Sequence, residues 1–136
     1  IVLIERAIVG RELEMAVLGT PPAHRVSGVG EIIAGEDFYS YDDKYAADST
    51  AKVVIDPDLD DGTKELIRDT AARVFEVLDC RGLARVDFIL DSNNTLYVLE
   101  VNTMPGFTNI SMYPKLWRQQ GVSYPQLIEN LIEDAL

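Results

Sequence analysis

Two strand-dense segments, Leu83–Leu90 and Thr95–Val101, flank the run Asp91-Ser92-Asn93-Asn94, and this stretch constrains the fold more than any other. Asparagine tolerates positive φ, so Asn93-Asn94 predicts a two-residue type I′ turn and an antiparallel hairpin. In that register Asp87 faces Glu100 and Arg85 faces Asn102. All four share one side, because strand side chains alternate. Val86, Phe88 and Leu90 take the other side with Tyr97, Leu99 and Val101 and supply core.

Two carboxylates placed directly opposite have Cβ atoms about 4.5–5.5 Å apart. Both ionise at neutral pH, so the pair is destabilising unless a proton or a cation bridges it. Three readings stay open on these residues. One is a solvated polar face in which Arg85 neutralises Asp87. A second is an acid/base pair, which at a carboxyl separation of ~5–5.5 Å would suit a retaining glycosidase. That role wants one carboxyl in an apolar pocket with a raised pKa, whereas Arg85 and Asn102 favour two ionised carboxylates. The third is a metal site. Asp87, Glu100 and the amide carbonyl of Asn102 form an oxygen-only set that suits a hard cation, and Mg²⁺ commonly binds through one or two carboxylates plus substrate phosphates.

The remaining chain reads as a mixture of strands and helices. Ile1 to Ile4 read as a buried strand and Glu5 to Val9 as a connection closed by Gly10. Arg11 to Leu18 alternates as a half-buried strand, with Leu13, Met15 and Val17 inward. Val26 to Ile33 is a further strand weakened by Gly28 and Gly30, and Ala51 to Ile55 a short one. Phe38 to Tyr45 fits neither period and reads as a long aromatic loop. Leu59 to Leu78 contains a helix with apolar residues at three- and four-residue steps, preceded by Asp60 and Asp61 and stopped by Gly82. Pro114 opens a short helix to about Gln120. Ser123-Tyr124-Pro125-Gln126 has the form of a capping box, with Leu127, Ile128, Leu131, Ile132 and Ala135 as the apolar face behind it.

At 136 residues, with 47% hydrophobic residues, the chain is long enough for one buried core and short for two domains. Its 23 acidic against 12 basic residues give a net charge of −11. Such a surface repels phosphate backbones, which argues against nucleic-acid partners. No apolar run reaches the ~18 residues of a membrane span. The lone Cys80 cannot form an internal disulfide, and the lone His24 cannot build a His-rich zinc site. The chain opens on Ile1 rather than Met and at strand density, which suggests a piece of a longer protein.

Gly82-Leu83-Ala84-Arg85-Val86-Asp87, followed by Glu100-Val101-Asn102-Thr103-Met104-Pro105-Gly106-Phe107-Thr108, resembles the D-alanine–D-alanine ligases of the ATP-grasp superfamily. Gly10-Arg11-Glu12-Leu13-Glu14, the loop ending Asp43-Lys44-Tyr45, and Ser111-Met112-Tyr113-Pro114 occur in the expected order. The resemblance covers essentially the whole chain and implies an α+β (α/β) fold, mainly antiparallel sheet flanked by helices. It implies that residues 1–9 are the end of a central ATP-grasp domain and its hinge. Residues 10–136 would be the C-terminal catalytic domain, the N-terminal and most of the central domain being absent.

The same resemblance implies roles for residues. Glu5 and the backbone near Ile8 would meet the adenine of ATP, and Glu12 the ribose hydroxyls. Lys44 would reach the phosphates, and Tyr45 would order its loop over the substrates. Asp87, Glu100 and Asn102 would hold two Mg²⁺, with Mn²⁺ able to substitute. Arg85 and the backbone N–H of Gly106 would form an oxyanion site. Ser111 and Met112 would bind the carboxylate of the second D-alanine, near a helix N-terminus. Glu14 shares the face of Glu12 and receives no role. The implied activity is ATP-dependent synthesis of D-alanyl-D-alanine through an acyl phosphate, for peptidoglycan, in the bacterial cytoplasm. The implied partners are small molecules, and a homodimer of the full-length protein is compatible with them. A D-alanyl-D-lactate ligase and a non-catalytic binding module are the alternatives.

Overall fold

The computed structural model describes residues 2–33 and 52–136. Five strands form one antiparallel sheet: β1 (Gly10–Gly19), β2 (Arg25–Ile33), β3 (Lys52–Ile55), β4 (Gly82–Asp91) and β5 (Leu96–Asn102), in the spatial order β3-β2-β1-β4-β5. Helix α1 (Asp61–Val77) covers one face, and α2 (Met112–Gln119) with α3 (Tyr124–Ala135) packs on the other. This is the antiparallel α+β architecture that the resemblance implies.

Central strand β1 has both faces occupied. Leu13, Met15 and Val17 join Ile67, Ala71 and Phe75 of α1 and Val86, Phe88 and Leu90 of β4. Ala16 and Leu18 lie under Tyr113, Leu116, Trp117 and Leu127. The strand is therefore buried on both sides from Leu13 to Leu18, where alternation suggested a half-buried one. The small polar-side residue Ala16 was covered by helices too distant in sequence to be anticipated.

The glycines of β2 have separate uses. Ser27-Gly28 bulges opposite Ala16, and the Ala16 N–H donates to Ser27 Oγ at 2.9 Å, so the irregularity leaves no orphaned donor. At Gly30 a Cβ would stand 2.5 Å from Met112 Sδ, so glycine lets α2 approach the sheet closely.

Helix α1 is capped by Asp60, whose carboxylate accepts from the Thr63 N–H at 2.9 Å. It ends at Leu78, and the left-handed residue after it is Asp79 (φ 50°), several positions before the glycine expected to stop it. Gly82 (φ 74°) instead starts β4. Cys80 is buried in the α1-side core, and burial pushes its thiol pKa up, as for an unreactive side chain. His24 lies in the β1–β2 connection beside Phe75, with ring centroids 5.5 Å apart.

Helix α2 starts two residues before Pro114. Helix α3 carries the expected capping box between Ser123 and Gln126, but of its apolar residues Leu127 and Leu131 join the core while Ile128 and Ile132 are exposed. Val2, Leu3 and Ile4 form no strand and are 80–89% exposed. No neighbouring strand pairs with them among the described residues, so their strand propensity goes unused.

Candidate functional site

The hairpin delivers the expected juxtaposition by an unexpected route. Asp91 and Thr95 close a three-residue loop, Ser92-Asn93-Asn94, in which Asn94 takes φ 60°. Asp91 Oδ1 accepts from the N–H groups of Asn93 and Thr95, both at 2.8 Å. This puts Leu90 opposite Leu96 and Phe88 opposite Val98, one residue out of the predicted register. A bulge at Leu99 then restores it, and beyond the bulge Asp87 faces Glu100, Val86 faces Val101 and Arg85 faces Asn102. The phase error is confined to the residues between turn and bulge. Leu96 and Val101 pack on the α1 side, while Tyr97 stands opposite Ile89, away from that core, and Leu99 is 59% exposed.

Pairing of β1 with β4 adds what the hairpin alone does not contain. Glu14 lies opposite Asp87, and Glu12 opposite Ile89. Three carboxylates, Glu14, Asp87 and Glu100, therefore form a row across β1, β4 and β5, with Arg85 among them. Arg85 Nε and Nη2 donate to the two oxygens of Asp87 at 2.7 and 2.6 Å. Glu14 Oε2 is 3.2 Å from Arg85 Nε, and Glu100 Oε1 is 3.6 Å from Nη2. Glu14 and Asp87 are buried, and the Arg85 side chain is 14% exposed.

Burial works to lower the Arg85 pKa. The hydrogen bond to Asp87 and the charges of Glu14, Asp87 and Glu100 override it, so the pKa ends above its ordinary value and the guanidinium stays charged. Among the described residues three carboxylates surround one guanidinium, an excess of negative charge that a divalent cation would offset.

The donor chemistry fits such a cation: carboxylates of Asp87 and Glu100, and the amide oxygen of Asn102, whose Oδ1 already accepts from the Met104 N–H at 3.0 Å and keeps a second lone pair. Among the described residues no three His, Cys, Asp or Glu side chains already converge as a metal cluster. Each Asp87 oxygen accepts one hydrogen bond from Arg85 and keeps a second lone pair.

The other predicted residues fall around this row. Glu12 is exposed on the same face. Glu5 is exposed and Ile8 half-buried in the segment leading into β1. This segment is held near β5 by Arg6, whose guanidinium lies 5.8 Å from the centroid of the Tyr97 ring.

Gly106 follows β5 in an exposed stretch, and a Cβ there would meet Ser111 Oγ at 3.0 Å. Phe107 anchors that stretch: it packs against Tyr113 and Tyr124, and the Tyr124 hydroxyl donates to its carbonyl at 2.6 Å. Ser111 is the N-cap of α2, but its Oγ accepts from the Thr108 N–H at 3.1 Å instead of capping the helix. The Met112 side chain is buried against the sheet, so only its backbone N–H, in the first turn of α2, remains to meet an anion. Lys44 and Tyr45 lie outside the described residues.

Glu14 is the residue that sequence reasoning left without a part. Its phase beside Glu12 was visible; its partner was not, since the β1–β4 pairing spans about seventy residues of chain. Arg11, on the opposite face, makes a separate bidentate pair with Glu31, both contacts 2.7 Å, and does not enter the row. A recess of about 600 Å³ lined by Gly10, Arg11, Asp60 and Asp91 lies on the α1 side and includes none of the predicted site residues. No described helix is long and apolar enough to cross a membrane.

The family description "D-ala D-ala ligase C-terminus" matches residues 1–133. The chain is 52% identical over 135 residues to a D-alanine–D-alanine ligase of Proteus mirabilis, covering 99% of this chain and 37% of that protein. The D-alanine–D-alanine ligase structure from Coxiella burnetii superposes with a TM-score of 0.81 at 41% identity, over 96% of this chain and 33% of that one. That of the Bacillus anthracis D-alanine–D-alanine ligase complexed with ATP does so with a TM-score of 0.77 at 28% identity, over 96% and 41%. The chain thus spans little more than a third of the length of the curated relative it matches.

Proposed function

Because the chain belongs to the D-alanine–D-alanine ligase family, as its C-terminal part, we propose that the full-length protein joins two D-alanines at the expense of ATP. The observation that carries this reading is the facing of Asp87 with Glu100 and of Arg85 with Asn102 on one side of the sheet. Residues 1–9 would then belong to the hinge and the end of a central domain, and residues 10–136 to the catalytic domain.

In this reading Glu5 and the backbone near Ile8 meet the adenine, and the Glu12 carboxylate accepts from two ribose hydroxyls at once. Lys44 reaches the phosphates. Asp87, Glu100 and Asn102 would hold Mg²⁺, which when bound neutralises charge on the transferring phosphoryl group. The carboxylate of the first D-alanine takes the terminal phosphoryl group of ATP, giving an acyl phosphate and ADP. The amine of the second attacks the acyl carbon. The oxyanion that forms is stabilised by the Arg85 guanidinium and the Gly106 N–H, donors fixed before the reaction begins. Collapse expels phosphate and leaves D-alanyl-D-alanine.

Ser111 and the backbone N–H of Met112 bind the carboxylate of the second D-alanine, where the α2 dipole favours an anion. Tyr45 helps close its loop over the substrates and keeps water from the acyl phosphate. The product would serve peptidoglycan assembly in the bacterial cytoplasm.

The test is ADP release and product mass with the full-length protein, supplied with ATP, Mg²⁺ and either D-alanine alone or D-alanine with D-lactate. Dipeptide from D-alanine alone is the expected result. Depsipeptide as the main product would assign the D-lactate ligase, and no turnover with either would contradict the ligase reading.

A further inference from the structure

Glu5 and Ile8, proposed above to meet the adenine, lie in a segment whose residues are mostly exposed. Backbone groups recognise a base well only when their position is fixed beforehand. We infer that Arg6 and Tyr97 supply that fixing: Tyr97 is a positioning residue that, through Arg6, holds residues 5–8 over the nucleoside end of the site. The inference rests on the ligase reading above and extends it to two residues that the reading leaves unused.

Strand pairing places this contact. On the site face Glu12 of β1 lies opposite Ile89 of β4, and Ile89 lies opposite Tyr97 of β5. The row crosses the same three strands as Glu14, Asp87 and Glu100, two residues away along β1 and β4. One row carries the proposed metal ligands and so marks the phosphate end. The other begins at Glu12, the proposed ribose ligand, and ends at Tyr97 on the edge of the sheet.

Arg6 meets Tyr97 in two ways. Its guanidinium lies 5.8 Å from the ring centroid, within the range of cation–π attraction, and Nη2 donates to the Tyr97 hydroxyl at 3.4 Å. The hydrogen bond is long, so the ring face is the stronger part of the contact. Tyr97 is half-buried and held by the β4–β5 pairing, which makes it the fixed partner. Arg6 is exposed and follows Glu5 directly, two residues before Ile8, so a tether at Arg6 limits the travel of both. The contact joins residues 91 apart in sequence and ties the segment entering β1 to the far edge of the sheet.

Steady-state kinetics of the full-length protein with ATP, Mg²⁺ and D-alanine test this, with melting temperatures measured alongside. Tyr97→Leu and Arg6→Gln each break the contact, whereas Tyr97→Phe keeps the ring and Arg6→Lys keeps the cation. The first two should each raise the KM for ATP about two- to fivefold, the worth of an exposed cation–π contact. The kcat and the KM for D-alanine should change little, because the contact serves ground and transition states alike. Tyr97→Phe and Arg6→Lys should stay close to the unmodified protein. The double variant Tyr97→Leu/Arg6→Gln should be no worse than the more impaired single one, since each removes the same contact. An unchanged KM for ATP in Arg6→Gln, a fall in kcat alone, or additive effects in the double variant would overturn the inference. If Tyr97→Leu does not fold, Arg6→Gln, altered at an exposed side chain, decides by the same KM. An unmodified protein without ATP-dependent turnover would instead defeat the ligase reading itself, and this inference with it.

Discussion

One face of the sheet has two ends of opposite character. Toward α2 and α3, Ala16, Leu18 and Leu83 lie under Tyr113, Leu116, Trp117 and Leu127. A few residues along the same two strands, Glu12, Glu14, Arg85 and Asp87 make the face ionic. The apolar end is assembled as cores are, with a buried Tyr113 hydroxyl satisfied by the Val17 carbonyl at 2.8 Å and burial pushing its pKa up. The ionic end gathers three carboxylates around one guanidinium, an arrangement whose desolvation cost rivals its Coulombic gain. Strands β1 and β4 thus divide the labour: stability is concentrated beneath the helices, and the site stands where the same strands emerge from them.

Four outcomes would break or sharpen this contrast. The largest effect concerns the ionic end. The 136-residue chain alone, spanning 37% of a curated relative, is expected to turn over several orders of magnitude more slowly than the full-length protein. Positioning contributes ~7–11 kcal/mol to such reactions, and each 1.36 kcal/mol is tenfold. Coupled ADP release compares the two, and turnover within about a hundredfold would show the ionic end to be self-sufficient.

At the apolar end, Leu116→Ala should cost about 2–5 kcal/mol, read by chemical denaturation. Leu116 is fully buried and is not assigned to the site. A cost below about 1 kcal/mol would mean that α2 contributes little to stability. A smaller effect is expected further from the contrast: Ser123→Ala removes the capping box of α3 and should cost about 1 kcal/mol.

The smallest effect is a pH dependence. Hydrogen bonds from the Thr63 side chain and backbone lower the Asp60 pKa, and backbone hydrogen bonds, the Thr95 N–H foremost, lower that of Asp91. A carboxylate whose pKa is lower when folded stabilises above its unfolded value, about 3.9. That contribution is lost as pH falls through the folded value. Asp60→Asn keeps a capping oxygen but not the charge. Its small deficit in melting temperature at pH 7 should shrink as pH falls through the folded value, and a deficit that does not change with pH would assign the effect to geometry instead.

Local chemistry made much of this molecule legible. The alternation of Leu13, Met15 and Val17, the spacing of Ile67, Ala71 and Phe75, and Ser123 with Gln126 each report on near neighbours. The meeting of Asp87 with Glu100 was also legible, although the predicted turn was one residue short and the bulge at Leu99 restored the register. What stayed hidden depends on distant pairings. Glu14 acquires its meaning from β4, the core position of Met112 from the close approach at Gly30, and the exposure of Val2 to Ile4 from the lack of a strand beside them among the described residues.

The central claim is that the ionic end serves chemistry and not the fold, and Asp87→Asn in the full-length protein tests it most directly. Activity with ATP, Mg²⁺ and D-alanine is measured beside the melting temperature without metal. Metal stabilisation of the transferring group amounts to several kcal/mol, so activity should fall by about a thousandfold. The melting temperature should change little, because Glu14 and Glu100 still offset the Arg85 charge and the loss of one buried partner is set against relief of like-charge repulsion. A protein that keeps its activity, or that melts far lower, would contradict the account.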